Sequence, residues 1–460
     1  MSKLIRLLSL GAVLSVLVTS FAGCGKENEI AKNTQSITAN TDENAEPVKL
    51  TFWGGIPEES GPQNAVEAWN QKNPNIQVEY IRYVNDESGN TKLDAAILSG
   101  NSVDLFTSHG ADNATGRITA GMAAPLGEYL KKDNMDILKL FGAGYYNYEN
   151  EVYGVPDTNP ADFIWLNKSM FDKAGIPIPT EWTYDEFQET AKILTAGSGD
   201  SKVYGAMMYP GWSDTWMRTA YTALGPDNYS DKMSFNLDRD YFRKALQLRY
   251  DMELIDKSWV PIVNITAEKL TIQDMYFKGK VAMVWAGSFP LRYLKDDKNY
   301  PHDFVTAFAP VPKWEKDQEK YYNSAGAIDG VVSISESTPN KDQAWAFMKW
   351  WLTEGFETYC VPFGKIPSYL KADKAKMEES LLNNDYTKQR IDVESFKRVF
   401  LGDPANTGEF FTTPLSEARK EVATMMNREV EKCLTGVQSV DQTMDSMKQQ
   451  ANEITKRRNK

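Results

Sequence analysis

Val48-Lys49-Leu50-Thr51-Phe52-Trp53-Gly54-Gly55 is the stretch on which the fold turns. Its side chains alternate with the two-residue period of a strand, and the Gly-Gly pair closes it as a turn. Downstream, Val66, Trp69 and Asn70 share a short helix that stops near Asn73-Pro74. Ile76, Val78 and Tyr80 alternate again as a second strand. Leu93, Ala96 and Ile97 mark a second helix ended by Ser99-Gly100, and Val103-Asp104-Leu105-Phe106 is a short apolar strand. Strand, helix, strand, helix, strand predicts a parallel sheet of the α/β class.

The pattern then restarts. Tyr153-Gly154-Val155-Pro156 leads into Phe163-Ile164-Trp165-Leu166, which reads as a buried strand. Trp182 to Leu194 is helical, with Phe187, Ala191 and Leu194 on one face, and Val281 to Trp285 is another apolar strand. Val331, Ser333 and Ser335 alternate with Val332 and Ile334. Ala344, Phe347, Met348, Trp351 and Leu352 have helical spacing, as do Val440, Met444, Met447, Ala451 and Ile454 at the end. Stripes of this kind bury one face of a helix, so they are assigned to core. No repeat of fixed period occurs. At roughly 100–200 residues per domain, 460 residues predict two or three domains.

Charge narrows the function. The chain has 51 basic and 63 acidic residues, a formal charge of −12, which argues against a binder of nucleic acid or of an anionic membrane, either of which needs a basic face. An apolar share of 42% is enough for a packed core. Twelve tryptophans supply rigid, amphipathic surface for a binding site.

The N-terminus reads as an export signal. Lys3 and Arg6 precede an apolar run from Leu7 to Val18, followed by Thr19-Ser20-Phe21-Ala22-Gly23-Cys24. The run is too short for a hydrocarbon core of about 30 Å. Ala22-Gly23-Cys24 resembles a bacterial lipobox, in which Cys24 becomes the lipidated first residue; Phe21 stands where such boxes usually carry Leu. Cleavage there removes two positive charges and takes the net charge from −12 to −14. Residues 25–46 are polar, with Ile30 and Ile37 the only sizeable apolar side chains, and read as a flexible tether reaching about 25 Å. Cys360 and Cys433 are read as free, mostly buried thiols.

Most catalytic signatures are missing. The two histidines, His109 and His302, form no HExxH. There is no G-x-S-x-G elbow, no P-loop and no G-x-G-x-x-G after a strand. Gly197-Ser198-Gly199-Asp200-Ser201-Lys202 is a turn. With two histidines and two cysteines in the mature chain, no metal site or cofactor is expected. Asp227, Asp231, Asp238 and Asp240 lack calcium-loop spacing and read as an exposed acidic loop. A glycoside hydrolase needs only two carboxylates, so a secreted carbohydrate hydrolase stays as an alternative.

Several segments, in order, resemble the extracellular solute-binding proteins of bacterial ABC importers, in the carbohydrate-binding group that includes maltose-binding protein. They are Leu50-Thr51-Phe52-Trp53-Gly54-Gly55, Trp69-Asn70-Gln71-Lys72-Asn73-Pro74-Asn75-Ile76, and Leu93-Asp94-Ala95-Ala96-Ile97-Leu98-Ser99-Gly100 with Val103-Asp104-Leu105-Phe106. The most telling is Tyr153-Gly154-Val155-Pro156, followed by Leu166-Asn167-Lys168-Ser169-Met170-Phe171-Asp172-Lys173-Ala174-Gly175-Ile176 and Pro179-Thr180-Glu181-Trp182-Thr183. Phe277-Lys278-Gly279-Lys280-Val281-Ala282-Met283, Pro310-Val311-Pro312 and Ala344-Trp345-Ala346-Phe347 continue the order.

The resemblance implies two α/β lobes, a hinge and a ligand cleft between them. It places crossings near Pro156–Pro160, Ser324–Asp329 and Pro367–Lys371. One lobe is then 47–158 plus 326–371, the other 159–325 plus 372–460. It implies a monomeric, lipid-anchored, non-catalytic receptor on the outer face of the cell membrane that passes a sugar to a permease. A receptor for a non-sugar solute and a structural lipoprotein are the remaining alternatives.

Sugars offer apolar faces to aromatic rings and hydroxyls to planar polar groups. Ligand contacts are expected from loops at the C-terminal ends of strands. The candidates there are Trp53, Gly54 and Gly55, with Glu58 and Glu59 behind them, and His109 after the strand ending at Phe106. Asp157 and Asn159 sit at the first crossing, and Asp329 at the second, where many relatives carry only glycines. Tyr209-Pro210-Gly211-Trp212-Ser213-Asp214-Thr215-Trp216 sets two tryptophans around an aspartate; Trp212, Asp214 and Trp216 are candidates. Trp285, with Ser288 just beyond it, lies where the family carries a stacking tryptophan and is the leading candidate. Phe410-Phe411 is read as core.

Overall fold

The computed structural model describes residues 46–100, 103–142, 146–159, 161–208, 215–229, 235–323, 329–355, 365–402, 407–411 and 418–458. The leader, Cys24, the tether, Cys360, Trp212 and Asp214 lie outside the described residues.

The first lobe is built on β1 (Val48–Gly54), α1 (Pro62–Lys72), β2 (Ile76–Arg82), α2 (Glu87–Leu98), β3 (Leu105–Ser108) and α3 (Ala111–Thr119). β1 pairs in parallel with both β2 and β3, as the alternating pattern predicts. The pleat explains the two cores. Leu50 and Phe52 point to one face, where Phe52 meets Trp351 at 4.8 Å and Tyr80 at 5.5 Å, both edge-on. Trp53 points to the other, against Leu93, Ile97 and Phe106.

The whole sheet is mixed rather than parallel. Its order is β2-β1-β3-β10-β5-β4. β10 (Asp329–Ile334) enters between β3 and β5 (Glu151–Thr158) and is antiparallel to both; β4 (Tyr146–Tyr148) closes the edge. Local periodicity reports the parallel units and is silent on a strand arriving from far along the chain.

The second lobe has a four-stranded sheet, ordered β7 (Tyr204–Met208), β8 (Val281–Ala286), β6 (Phe163–Asn167) and β9 (Thr306–Ala309). β7 and β8 are parallel, and β6 is antiparallel to β8 and β9. All five residues of β6 are buried, which is why its sequence is a continuous apolar run. The helix Tyr184–Leu194 covers one face. At Gly205 a Cβ would lie 2.0 Å from the carbonyl oxygen of Ala191, so strand and helix meet backbone to backbone.

That helix begins with a capping box: Thr183 Oγ1 accepts from Glu186 N at 3.2 Å and Glu186 Oε2 accepts from Thr183 N at 2.8 Å. Thr183→Ala is expected to cost about 1 kcal/mol, read as a lower denaturation midpoint at unchanged slope. Helices Arg419–Leu434 and Val440–Arg458 finish the lobe, burying Val422, Met426, Val430, Met444, Met447 and the free thiol of Cys433 in one cluster.

Three segments join the lobes. The first is 159–162, between β5 and β6. The second runs from β9 to β10 and is described up to Asn323 and from Asp329. The third is 366–373. It lies beside the first: Asn159 N donates to Ile366 O at 2.7 Å, Ser368 N donates to Asp157 O at 3.2 Å, and Thr158 bridges Pro367. Tyr369 then packs on Phe141 of the first lobe, and the helix Lys374–Leu382 buries Met377 and Leu381 in the second.

Candidate functional site

The parallel register of β1 and β3 brings their C-terminal ends to one edge of the first lobe, with Trp53 opposite Phe106. The Gly54 Cα sits under the Tyr80 ring, whose hydroxyl donates to Ile56 O at 2.9 Å. Gly55 lies against the imidazole of His109, where a Cβ would be 2.7 Å from Cδ2. Glycine is therefore required for packing at this edge. His109 is buried beside it, and its carbonyl accepts from Asn113 Nδ2 at 3.0 Å. The Trp53 indole is half-buried on the α2 side, with Nε1 unbonded and Lys92 Nζ 6.0 Å above the ring.

Asp157 is 1% exposed at the end of β5. Its carboxylate accepts from Thr158 Oγ1 at 2.8 Å and from Trp351 Nε1 at 3.2 Å. Burial holds its carboxyl above the usual carboxylate range, against the opposing pull of Lys365 and His109. These bonds tie the first crossing to the helix Lys341–Leu352. In this structure Asp157 is an anchor of the hinge and presents no carboxylate face to a ligand. Asn159 likewise turns inward, its Oδ1 accepting from Ala161 N at 2.9 Å.

Across the crossing, the antiparallel register sets Phe163 opposite Ala286, so Asp162 stands beside the end of β8. Asp162 Oδ2 accepts from Arg218 Nη1 and, at 3.2 Å, from Trp285 Nε1. Its backbone is clamped by Asn323: Asp162 N donates to Asn323 Oδ1 at 2.8 Å, and Asn323 Nδ2 donates to Asp162 O at 3.1 Å. Asn323 Nδ2 also donates to Thr407 O at 3.1 Å. This buried network joins the first crossing, the segment entering the second, and the end of β8. A charge is tolerated at such depth because it is paired and hydrogen-bonded.

Trp285, the leading candidate, is a core residue in this structure. It is 1% exposed, and its ring lies parallel to Tyr184 at 6.0 Å with Phe187 edge-on at 6.4 Å. The cause is the pleat: β8 is flanked by β7 and β6, and Trp285 points at the covering helix. Trp216 is also core, 5% exposed in a 3₁₀ turn and packed on Phe242 at 6.2 Å. Ser288 is buried, its carbonyl accepting from Leu291 N at 3.0 Å. Asp329 pairs with Thr158 through its backbone, and its side chain lies outside the described set. Phe411 is core, as read from the sequence.

Asp162, Arg218, Asn323 and Lys365 were not singled out from sequence. The available signal was an acidic residue immediately before an apolar strand, in Ala161-Asp162-Phe163-Ile164. Among the described residues, no group of three or more His, Cys, Asp or Glu is placed to hold a metal ion, and no helix is long and apolar enough to cross a membrane.

Comparison with known proteins adds to this geometry. The sequence profile of a family described as bacterial extracellular solute-binding protein matches residues 54–357. The chain is 23% identical over 315 residues to a maltotriose-binding protein of Pyrococcus abyssi; the match covers 66% of this chain and 62% of that one. It thus spans less than two thirds of that relative's length. An ABC substrate-binding protein from Listeria monocytogenes, solved with cycloalternan, superimposes with a TM-score of 0.68 at 18% identity, covering 89% of this chain and 98% of that one. A sugar transporter from Rhizobium etli in an open conformation gives 0.67 at 17%, covering 88% and 99%. These likenesses establish the two-lobed fold.

Proposed function

The chain belongs to the bacterial extracellular solute-binding protein family, and from that premise we propose that it captures a mono- or oligosaccharide between its lobes and delivers it to the permease of an ABC importer. The observation that carries this reading is the pair of hydrogen-bonded crossings, 159–162 and 366–368, set between two separately cored lobes. A hinge of that kind lets two walls close on a solute. The Pyrococcus relative, described as binding maltotriose, supports a sugar as that solute.

In this reading residues 47–158 with 326–371 form one lobe and 159–325 with 372–460 the other. The Trp53-Gly54-Gly55 and His109 edge supplies one wall. Trp212 and Asp214 supply the other, with Asp329 at the second crossing. Each charge-assisted hydrogen bond to a hydroxyl contributes about 1.5–3 kcal/mol. A wrong stereocentre leaves one of these acceptors buried and unpaired, which is the basis of selectivity. The protein is a monomer without catalytic activity, held to the outer face of the membrane by lipid on Cys24.

Thermal shift and tryptophan fluorescence against mono- and oligosaccharides, amino acids, peptides and polyamines test the ligand class. The expected result is a response confined to certain sugars, each recovered chemically intact. A response only to another class overturns the sugar, and a hydrolysed sugar overturns the receptor. The anchor has its own test: the N-terminal peptide of the mature protein carries acyl mass on Cys24, and Cys24→Ser moves the protein from the membrane to the soluble fraction.

A further inference from the structure

The order β2-β1-β3 lines three strand ends along one edge of the first lobe. Gly55, just past β1, therefore has a neighbour on each side. A Cβ there would lie 2.7 Å from Cδ2 of His109, beyond β3, and 3.2 Å from Cβ of Asn85, beyond β2. Asn85 is exposed and was not singled out from sequence. One buried side chain supports both neighbours. Arg117 of α3 is 2% exposed and donates from all three of its nitrogens. Nε bonds Asp94 Oδ1 at 2.6 Å, Nη1 bonds Ser108 Oγ at 2.9 Å, and Nη2 bonds Asn90 Oδ1 at 2.8 Å. Ser108 carries His109, and Asn90 reaches Asn85.

The guanidinium fixes the direction of each amide that follows it. Arginine has donors only, so the Asn90 atom that faces it is the carbonyl oxygen. The Asn90 NH2 group then points the other way, donating to Asp86 O at 2.8 Å and to Asn85 Oδ1 at 3.2 Å. A donor on Asn90 calls for an acceptor on Asn85, so the Asn85 oxygen is turned towards Asn90 and its NH2 group away from it. Among the described residues, nothing pairs with that NH2 group. An amide tethered to nothing could offer either end to a solute; this one offers its donor end.

We propose that Asn85 contacts the solute as a hydrogen-bond donor beside Gly55, and that Arg117, acting through Asn90, is the positioning residue that decides which end of the Asn85 amide is presented. The proposal rests on the reading that this edge faces the solute. The counterpart of Asn85 on a sugar is an oxygen that accepts. Ring and glycosidic oxygens carry no hydrogen, so only the NH2 end of an amide can bind them. The relay from Arg117 thus sets a specificity that Asn85 alone would not have.

The test is calorimetric titration of the full chain carrying Cys24→Ser, with maltotriose first and then with every solute of the panel that the parent binds. Asn85→Ala is expected to raise Kd about tenfold, the loss of one directed hydrogen bond, at an unchanged unfolding midpoint. Asn90→Asp keeps the acceptor for Arg117 and removes the donor that holds Asn85. It is expected to raise Kd about fivefold in the parent and by less than about twofold in Asn85→Ala, since it acts through Asn85. A merely structural Asn90 would weaken both backgrounds equally, and that result overturns the relay. If Asn90→Asp does not fold, Asn85→Asp decides: it keeps the acceptor towards Asn90, replaces the NH2 group with an acceptor, and should bind no better than Asn85→Ala. A parent-like Kd for Asn85→Ala overturns the contact and leaves the receptor standing. A parent that binds only a non-sugar overturns the sugar, with Asn85→Ala then judged on that solute, and a parent silent to the whole panel overturns both.

Discussion

Trp285→Ala is expected to lower the unfolding free energy by about 3–5 kcal/mol, the range for emptying a packed core of a large aromatic ring. The ring is 1% exposed between Tyr184 and Phe187, and the helix Tyr184–Leu194 is held to the sheet with no space to collapse inward. Truncation also removes the Nε1 donor from Asp162. Trp285→Phe separates the two effects: it keeps a ring, loses the hydrogen bond, and is expected to cost about 1–2 kcal/mol. Urea unfolding followed by far-UV circular dichroism measures both. An alanine variant as stable as the parent, yet silent to every solute that the parent binds, would return Trp285 to the cleft wall and contradict the burial.

Asp162→Ala is the second large effect, also about 3–5 kcal/mol, from a different cause. It breaks the ion pair with Arg218 in a site where the paired side chains are 10% and 2% exposed. Breaking one side of a buried pair is costly because the remaining ion stays desolvated. The double variant Asp162→Ala/Arg218→Met removes both charges and is expected to be less destabilised than the sum of its parts by about 2 kcal/mol. Additive losses in that cycle would mean the two residues act separately.

Much of the fold was legible because local chemistry repeats it. Leu50 and Phe52 alternate with Thr51 and Trp53 because β1 has two unlike faces, and the pattern survives without any distant partner. The position of β10 was not legible: Val331-Val332-Ser333-Ile334 says strand, but nothing in it says between β3 and β5. The site was harder for a related reason. A tryptophan at the end of a buried strand has the same neighbours in sequence whether its ring faces a sugar or Tyr184. The Gly54-Gly55 pair proved informative about close packing, since the ring beside Gly55 belongs to His109. Asp162 was passed over because pairing with Arg218, 56 positions away, is what makes its burial tolerable.

The late arrival of β10 also sets an order of assembly. β3 and β5 are complete by residue 158, but the strand that fills the gap between them ends at Ile334. At roughly 5–20 residues per second of synthesis, that gap stays open for on the order of ten to thirty-five seconds. During that interval β3 and β5 have no strand between them. The first-lobe sheet, begun at Val48, is therefore completed only after all four strands of the second lobe have been made.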